Sequence, residues 1–358
     1  MSKPKILHVV PESLLVPRHA YLGSTKDIRG RSEYFQARGL EYEELFVKDR
    51  SDQWLKAHLK EKDLSTYTSI FYELPIYPHS MAYVRRNCSG LRQITRSIAA
   101  TFYHEMQYFW AEQIYSKQPF APRTYRHQLE RLHYAIHRLK LDFLCGHEAD
   151  FMAPVAEWES RNYFRFFIAA EKIYTLPYFL PDQYKTGIEA GSAKKDQCVC
   201  LMSTTKGASP FLQDALYHFS DLVQQLGNDL PSWRFIVTGD LSNIQFDVAK
   251  RIFQSGFLET PFPTLAESRV LTNLSNYGMG FKTKLLDAIL VDSYVFIPKQ
   301  SYDQLPPEIK PYSIVVDLAS VESFKKALER SRDPVPKGDP NAELKAQAFS
   351  VLDKLLMN

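Results

Sequence analysis

The stretch GMGFKTKLLDAILVDSYVFIP, residues 278–298, contains both a fold pattern and an unusual set of charges. A glycine-punctuated turn leads into an apolar segment of helix length, and the apolar run YVFIP follows at strand length. A turn, a helix and a buried strand in this order are typical of a parallel α/β sheet. Because two lysines precede the apolar segment of helix length and one aspartate, Asp287, interrupts it, the stretch also indicates a binding site.

The turn has the physical form of an anion-binding site. Gly278 and Gly280 let the backbone approach a ligand closely, and the start of the following helix presents N–H groups that have no partner within the helix. Lys282 and Lys284 add positive charge. The pattern predicts a diphosphate site; the alternative is a glycine turn before a core helix, with both lysines in solvent.

Asp287 is flanked on both sides by apolar residues. A carboxylate that is buried without a partner costs several kcal/mol or takes up a proton. The two hydroxyls of a ribose would supply the donors that such a carboxylate needs. The alternatives are a structural pair with Lys284 and a solvent-exposed position.

The rest of the chain alternates between strand-like and helix-like segments, which predicts parallel sheets covered on both faces. A polar, glycine-containing segment at 184–197 separates two such units. We predict an α/β protein with Rossmann-like domains at 1–183 and 198–330, and a linker and C-terminal helix at 331–358 that packs back on the first domain. Other predicted strands lie at 5–10, 44–47, 68–74, 141–146, 172–177, 198–203, 233–239 and 313–318, predicted helices at 32–39, 83–115, 125–140, 154–170, 209–227, 245–256 and 322–330, and a loop at 11–30.

Composition narrows the classes of function. The 358 residues are 45% hydrophobic and 13% aromatic, as in packed domains, and a net charge of +3 does not favour nucleic acid as a partner. The four cysteines lack zinc-ligand spacing, and Cys198 and Cys200 share one face of a predicted strand, which favours core packing. That spacing leads us to expect no metal site. No segment has the pattern of a signal peptide or a membrane span, so we expect a cytoplasmic protein.

The stretch 278–298 resembles the donor-binding element of GT-B glycosyltransferases, in particular the family 4-like (group 1) proteins. VCLMSTTKGASPFLQDAL at 199–216 resembles the first strand, lysine-glycine turn and helix of their C-terminal domain. WRFIVTGDL at 233–241 resembles the next strand and turn, and PYFLPDQY at 177–184 the interdomain segment. The resemblance covers most of residues 170–330 and implies the GT-B architecture, two Rossmann-like domains that face each other across a cleft.

The resemblance also implies roles for single residues. Asp287 would hold the ribose of a nucleotide-sugar donor, so that Asp287→Ala would weaken nucleotide binding and leave the fold intact. Gly239 would lie close to the nucleotide. Lys206 and either Lys282 or Lys284 would hold the diphosphate, while Gly280 and Thr283, in the turn that starts at Gly278, would meet the phosphates or the sugar.

Two departures from the family pattern concern the donor geometry. The family usually has glutamate at the position of Asp287, so the carboxylate here is one methylene shorter. Many retaining members have a second glutamate eight residues earlier, where this chain has Met279. Inversion or retention at the anomeric carbon is therefore left open.

In the first domain, we look for catalytic groups directly after predicted strands, because ligands bind outside the carboxyl ends of parallel strands. His147, Glu148 and Asp150 in CGHEAD follow the predicted strand 141–146. We expect one of them to be the general base that deprotonates an acceptor hydroxyl. The alternative is a structural or exposed histidine.

Two other parts of the first domain are candidates for acceptor contacts. Glu12 and Ser13 follow the first strand, where an acceptor would pass. The segment 83–115 mixes arginines with aromatic residues, which is typical of a helix at an anionic membrane or beside a lipid-linked acceptor. An ordinary amphipathic helix on the sheet is the alternative.

These patterns together predict a metal-independent glycosyltransferase without a cofactor, whose nucleotide-sugar donor is a substrate. The acceptor would be a sugar, a lipid-linked group or a protein, at the inner face of a membrane in bacterial surface polysaccharide or glycoconjugate synthesis. Two other functions fit the same architecture. One is a nucleotide-sugar epimerase, which needs no acceptor, and the other is a non-catalytic binding protein that keeps the fold.

Overall fold

A computed structural model describes residues 4–15, 23–115, 122–185, 193–202, 209–242, 244, 246–258, 260–278 and 280–357. Within these residues the chain forms two parallel sheets with helices packed on them. None of the helices in this part of the chain is long and apolar enough to span a bilayer.

The first domain contains strands β1 (Lys5–Pro11), β2 (Glu41–Val47), β3 (Ser69–Tyr72), β4 (Arg92–Ser97) and β5 (Phe151–Pro154). The strands are parallel in the order β2-β1-β3-β4-β5, and nearly all residues of β1, β3 and β4 are buried. Its helices are α1 (Gly23–Ala37), α2 (Asp52–Glu61), α3 (Pro78–Asn87), α4 (Thr101–Tyr115), α5 (Pro122–Glu148) and α6 (Glu157–Asn162).

The second domain contains strands β6 (Lys195–Leu201), β7 (Arg234–Thr238), β8 (Ile252–Gly256), β9 (Ser268–Thr272), β10 (Tyr294–Ile297) and β11 (Ser313–Val315). These strands are parallel in the order β11-β10-β9-β6-β7-β8. Cys198 and Cys200 are buried side by side in the core on one face of β6, which confirms their predicted packing role. The helices are α7 (Pro210–Leu226), α8 (Phe262–Glu267), α9 (Thr283–Ile289), α10 (Lys299–Asp303), α11 (Val321–Arg330) and α12 (Pro340–Leu356).

Helix α12 lies against α1 of the first domain. Its Asp353 accepts two hydrogen bonds from the Arg38 guanidinium, at 2.8 and 2.6 Å, and one from the Tyr34 hydroxyl at 2.8 Å. Leu344 and Leu352 are buried in the same apolar cluster as Tyr34. Because that cluster also contains residues of both sheets, the end of the chain ties the two domains together.

Several predicted elements are wrong, and each error has a local cause. The segment 141–146, predicted as a strand, forms the last part of α5. The prediction failed because a short apolar run fits a buried helix as well as a strand. The predicted helix 83–115 is divided between α3, the buried strand β4 and α4. Arg96 on β4 is fully buried, so this arginine is not part of an exposed basic helix face.

Two further segments also differ from the prediction. Helix α1 begins at Gly23, within the segment predicted as a loop. The prediction missed the start of this helix because its first turns contain glycine and polar residues without an apolar period. Strand β8 occupies the end of the predicted helix 245–256. Tertiary contacts outweigh local propensity at both places.

Candidate functional site

A cavity of about 390 Å³ lies where the carboxyl ends of the two sheets meet. Sites for small ligands usually have volumes of about 300–1,000 Å³. The first domain lines the cavity with Gly23, Ser24, Asp27, Ile98, Val155 and Tyr178. The second domain contributes an apolar wall, formed in part by Leu212, Phe257 and Leu258, and five of the residues predicted for the donor site: Gly239, Lys282, Thr283, Lys284 and Asp287.

The glycine turn before α9 requires glycine at both predicted positions. Gly278 and Gly280 have φ values of 101° and 77°, which side chains rarely adopt. A Cβ atom on Gly280 would lie 2.6 Å from the carbonyl oxygen of Ile98. The turn is therefore pressed directly against the end of β4 in the first domain.

The two lysines of the turn are partly buried beside the cavity. Burial, followed by the charge of Lys284, lowers the pKa of Lys282 to about 8, although Glu159 opposes this shift. Burial also lowers the pKa of Lys284, whose ammonium lies 3.4 Å from the carbonyl oxygen of Leu201. Two cations that share so small a space favour an anion between them.

Asp287 is buried, and its partner is a residue that the sequence did not indicate. The Lys26 ammonium, which is fully buried on α1, donates to both carboxylate oxygens of Asp287, at 2.9 and 2.7 Å. Burial raises the pKa of Asp287, although Lys26 opposes this shift. A structural pair is thus observed, but it joins the two domains and does not involve Lys284.

Two backbone N–H groups of the glycine turn donate hydrogen bonds to side chains of the first domain. The amide N–H of Gly278 donates to Gln107 Oε1 on α4 at 2.7 Å. The amide N–H of Gly280 donates to Glu159 Oε1 on α6, also at 2.7 Å. The other carboxylate oxygen of Glu159 is buried and has no hydrogen-bond partner among the described residues.

Glu159 carries a strongly perturbed carboxyl group. Burial raises its pKa to about 7, although its own backbone N–H group, the Gly280 N–H group, Lys282 and Arg96 act in the opposite direction. The side chain is only 1% exposed. A carboxyl group with this pKa changes its charge near neutral pH, which distinguishes it from an ordinary surface glutamate.

A buried network of charges lies beneath the cavity in the first domain. Arg31 donates to Glu73 at 2.9 and 2.6 Å, and His8 Nε2 lies 2.5 Å from the same carboxylate. Asp27 binds Arg31 at 2.7 Å and Arg96 at 3.0 Å. Burial alone would raise the pKa of Asp27, but Arg31 and Arg96 lower it to about 2. A carboxylate that is this stable is a poor base near neutral pH, so we assign the network to holding α1 over the sheet.

The remaining donor-site predictions have different outcomes. Gly239 follows β7 with a φ of 93° and lines the cavity beside Thr238. Thr283 lies against Gly23 at the start of α1. Lys206 and Met279 lie outside the described residues.

The three candidate bases of the first domain do not lie in the cleft. His147 and Glu148 end α5, and Asp150 precedes β5, so all three lie at the amino end of that strand. Asp150 exchanges two hydrogen bonds with the backbone of Gln93, with its own N–H donating at 2.9 Å and its carboxylate accepting at 2.8 Å. Their placement is therefore wrong, because the strand expected to precede them is a helix.

The acceptor candidates Glu12 and Ser13 follow β1 as expected, but in a short 3-10 helix. Both are exposed, and neither lines the cavity. The Ser13 hydroxyl accepts a hydrogen bond from Arg50 at 3.2 Å. The structure thus leaves them at the rim of the sheet.

The residues that sequence reasoning missed are Lys26, Gln107 and Glu159. All three belong to the first domain and contact the donor element of the second. The sequence signal that could have indicated Glu159 is a pair of glutamates in VAEWES immediately after a buried strand. No group of three or more His, Cys, Asp or Glu side chains in the described part of the chain could hold a metal ion.

No protein-family model matches this sequence, and no curated protein matches it. Solved structures are similar over nearly the full length. HepE of Anabaena in complex with UDP has a TM-score of 0.55 at 11% identity, and the match covers 98% of this chain and 95% of HepE. Sucrose-phosphate synthase of Thermosynechococcus elongatus has a TM-score of 0.57 at 12% identity, with 99% and 95% covered.

Two further matches extend this group of structures. The lipopolysaccharide outer core galactosyltransferase WaaB, in its apo form, has a TM-score of 0.55 at 11% identity, with 99% of both chains covered. HepE in complex with UDP-glucose has a TM-score of 0.51 at 10% identity, with 98% and 95% covered. Together with the two parallel sheets, these matches confirm the predicted GT-B fold.

Proposed function

We propose that this GT-B protein is a glycosyltransferase that moves a sugar from a nucleotide-sugar donor to an acceptor hydroxyl. The observation that carries the proposal is the cavity at the carboxyl ends of both sheets, which is lined by Lys282, Lys284 and Asp287 of the predicted donor element. HepE is similar in fold and has been solved with UDP and with UDP-glucose. We therefore take a uridine diphosphate sugar as the first donor to test.

In this proposal the residues that line the cavity bind different parts of the donor. Lys282 and Lys284 would stabilise the charge that develops on the leaving diphosphate, so that metal-independent transfer without a cofactor is part of the proposal. Asp287 would accept hydrogen bonds from the ribose hydroxyls, and the apolar wall would contact the base. Closure of the two domains would exclude water that could hydrolyse the donor. The acceptor, a sugar, a lipid-linked group or a protein, would enter from the first domain.

A non-catalytic binding protein is the second candidate function, and a specific observation favours it. Three polar groups of the donor element, the N–H groups of Gly278 and Gly280 and the carboxylate of Asp287, are bonded to side chains of the first domain. A site of this kind could hold the domains together without binding a donor.

Calorimetric titration with UDP-, GDP-, CMP- and TDP-linked sugars tests the proposal. We expect one of these donors to bind and, with a suitable acceptor, to lose its sugar. If none of them binds, the donor site is disproved. Incubation of a bound donor without acceptor distinguishes an epimerase from a transferase. Interconversion of the sugar without transfer would exclude the transferase.

Replacing Lys282 with alanine should weaken nucleotide-sugar binding about tenfold to a hundredfold. Hydrogen bonds to charged groups contribute about 1.5–3 kcal/mol, and each 1.4 kcal/mol is about a factor of ten in affinity. Calorimetry gives the dissociation constant directly. Lys195→Ala is the control, because Lys195 pairs with Glu267 on the surface and should leave affinity unchanged. Equal affinities of wild type and Lys282→Ala would contradict the assigned role.

Nucleotide affinity should also fall as the pH rises through about 8. The pKa of Lys282 is lowered to about 8, so its ammonium is present below this pH and lost above it. If only the charged form binds the diphosphate, affinity decreases by up to about tenfold per pH unit above the pKa. Titrations between about pH 7 and pH 9 check this. Lys282→Ala should show a smaller decline, and a flat profile for the wild type would count against a lysine contact.

A further inference from the structure

The glycine turn is bonded to a carboxylate at the place where the proposed function puts a phosphate. Glu159 Oε1 lies 2.7 Å from the amide nitrogen of Gly280 and belongs to the opposite domain. Gln107 Oε1 lies at the same distance from the amide nitrogen of Gly278. Two neighbouring N–H groups of one turn are thus bonded to side-chain oxygens of the first domain.

The chemistry of this contact resembles that of a bound anion. The Glu159 carboxylate accepts a backbone N–H bond beside Lys282, as a phosphate oxygen would. Its second oxygen is buried and has no partner among the described residues. A buried carboxylate with one unsatisfied oxygen is costly, so this contact is less stable than a fully bonded one.

We propose that Glu159, assisted by Gln107, competes with the donor diphosphate for the N–H groups of the glycine turn and thereby sets donor affinity. This inference rests on the proposed function, since it takes the turn as the diphosphate site. Each N–H group makes one strong hydrogen bond, and two anions in contact repel each other. A phosphate that binds Gly280 must therefore displace Glu159.

The close approach of the two domains supports competition in place of joint binding. A Cβ atom on Gly280 would lie 2.6 Å from the carbonyl oxygen of Ile98, so the first domain is in direct contact with the turn at the residue whose N–H group donates to Glu159. Displacement of Glu159 and Gln107 would break two contacts between the domains. Donor binding would thus be coupled to the packing of the first domain against the turn.

Glu159→Gln tests the inference because it removes the charge and keeps the size of the side chain. We expect this variant to bind UDP about tenfold more tightly than the wild type at about pH 8, where the carboxyl group of Glu159 is mostly ionised, because a neutral oxygen competes less well than a carboxylate. Glu157→Gln is the matched control: Glu157 lies two residues earlier, is exposed, and pairs with Arg161 at 2.6 Å. Its affinity for UDP should equal that of the wild type.

Gln107→Ala provides a second variant, in case Glu159→Gln alters the fold. It frees the Gly278 N–H group and should tighten UDP binding about threefold, which is less than Glu159→Gln because a neutral acceptor is lost. All variants are compared by calorimetry with UDP, GDP and a UDP-sugar, after thermal denaturation shows that they are folded.

The outcomes separate this inference from the function on which it rests. Tighter UDP binding by Glu159→Gln, with no change in Glu157→Gln, supports competition. Measurable UDP binding that Glu159→Gln leaves unchanged overturns the inference alone. Weaker binding of the UDP-sugar with unchanged UDP binding would show a sugar contact and also overturns it. If neither the wild type nor any variant binds a nucleoside diphosphate, the proposed function fails, and the inference fails with it.

Discussion

Replacing Glu73 with alanine is expected to lower the free energy of unfolding by about 3–5 kcal/mol. Glu73 is 2% exposed and accepts two hydrogen bonds from the Arg31 guanidinium. It is also the close partner of the fully buried His8, at 2.5 Å. The substitution leaves the buried Arg31 guanidinium with Asp27 as its remaining carboxylate partner, and it removes the carboxylate beside the buried His8 imidazole.

Chemical denaturation followed by tryptophan fluorescence measures this loss. Three of the four tryptophans, Trp54, Trp110 and Trp158, belong to the first domain, so the signal reports mainly on that domain. Glu130→Ala is the control because Glu130 forms an exposed pair with Arg126 on α5, and such pairs contribute about 0.3–0.5 kcal/mol. Similar losses in both variants would show that the buried network contributes no more than a surface pair.

Replacing Asp287 with alanine should have two effects of comparable size. It removes the carboxylate that accepts two hydrogen bonds from the buried Lys26 ammonium, and breaking a buried ion pair of this kind should cost about 3–5 kcal/mol of stability. It should also weaken nucleotide binding, because the acceptor for the ribose hydroxyls is removed. The sequence did not indicate Lys26 as the partner, so the expectation from sequence that this variant leaves the fold intact did not include this loss of stability.

Lys26→Met separates the two roles of Asp287. This variant also breaks the buried pair and should be destabilised. It keeps the Asp287 carboxylate, however, and removes the Lys26 ammonium that donates to both carboxylate oxygens. If Asp287 binds ribose, Lys26→Met retains or gains nucleotide affinity while Asp287→Ala loses it. Loss of affinity in both variants would show that the pair acts only through the structure. Asp303→Ala, which removes the carboxylate of an exposed pair with Lys299, is the control for both measurements.

The two domains differed in how well the sequence predicted them. Around residues 278–298 the pattern is local: a glycine turn, a short helix and a buried strand follow one another, and each was predicted. In the first domain the polar first turns of α1 and the buried arginine on β4 have no local signal of their environment. Their burial depends on pairs between residues far apart in the sequence: Arg96 of β4 binds Asp27 of α1, and Arg31 of α1 binds Glu73.

The error at His147 shows the same limit at the site. An apolar run of six residues fits a strand or the end of a helix, and only the continuation of α5 through Glu148 decides between them. That choice moves three candidate bases from the carboxyl end of a strand to the amino end of the next one. A single assignment of secondary structure thus changed which residues could take part in the chemistry.

The sequence by itself determined the alternating α/β pattern, the need for glycine at 278 and 280, and the presence of a carboxylate among apolar residues of α9. These features follow from backbone conformation and residue spacing, which are local properties. Only the tertiary structure decided what each polar group of the turn contacts. The partner of Asp287 is 261 residues away, that of Gly278 is 171 and that of Gly280 is 121. Hydrogen bonds and ion pairs depend on distance in space, and one sequence does not give the distance between residues that far apart.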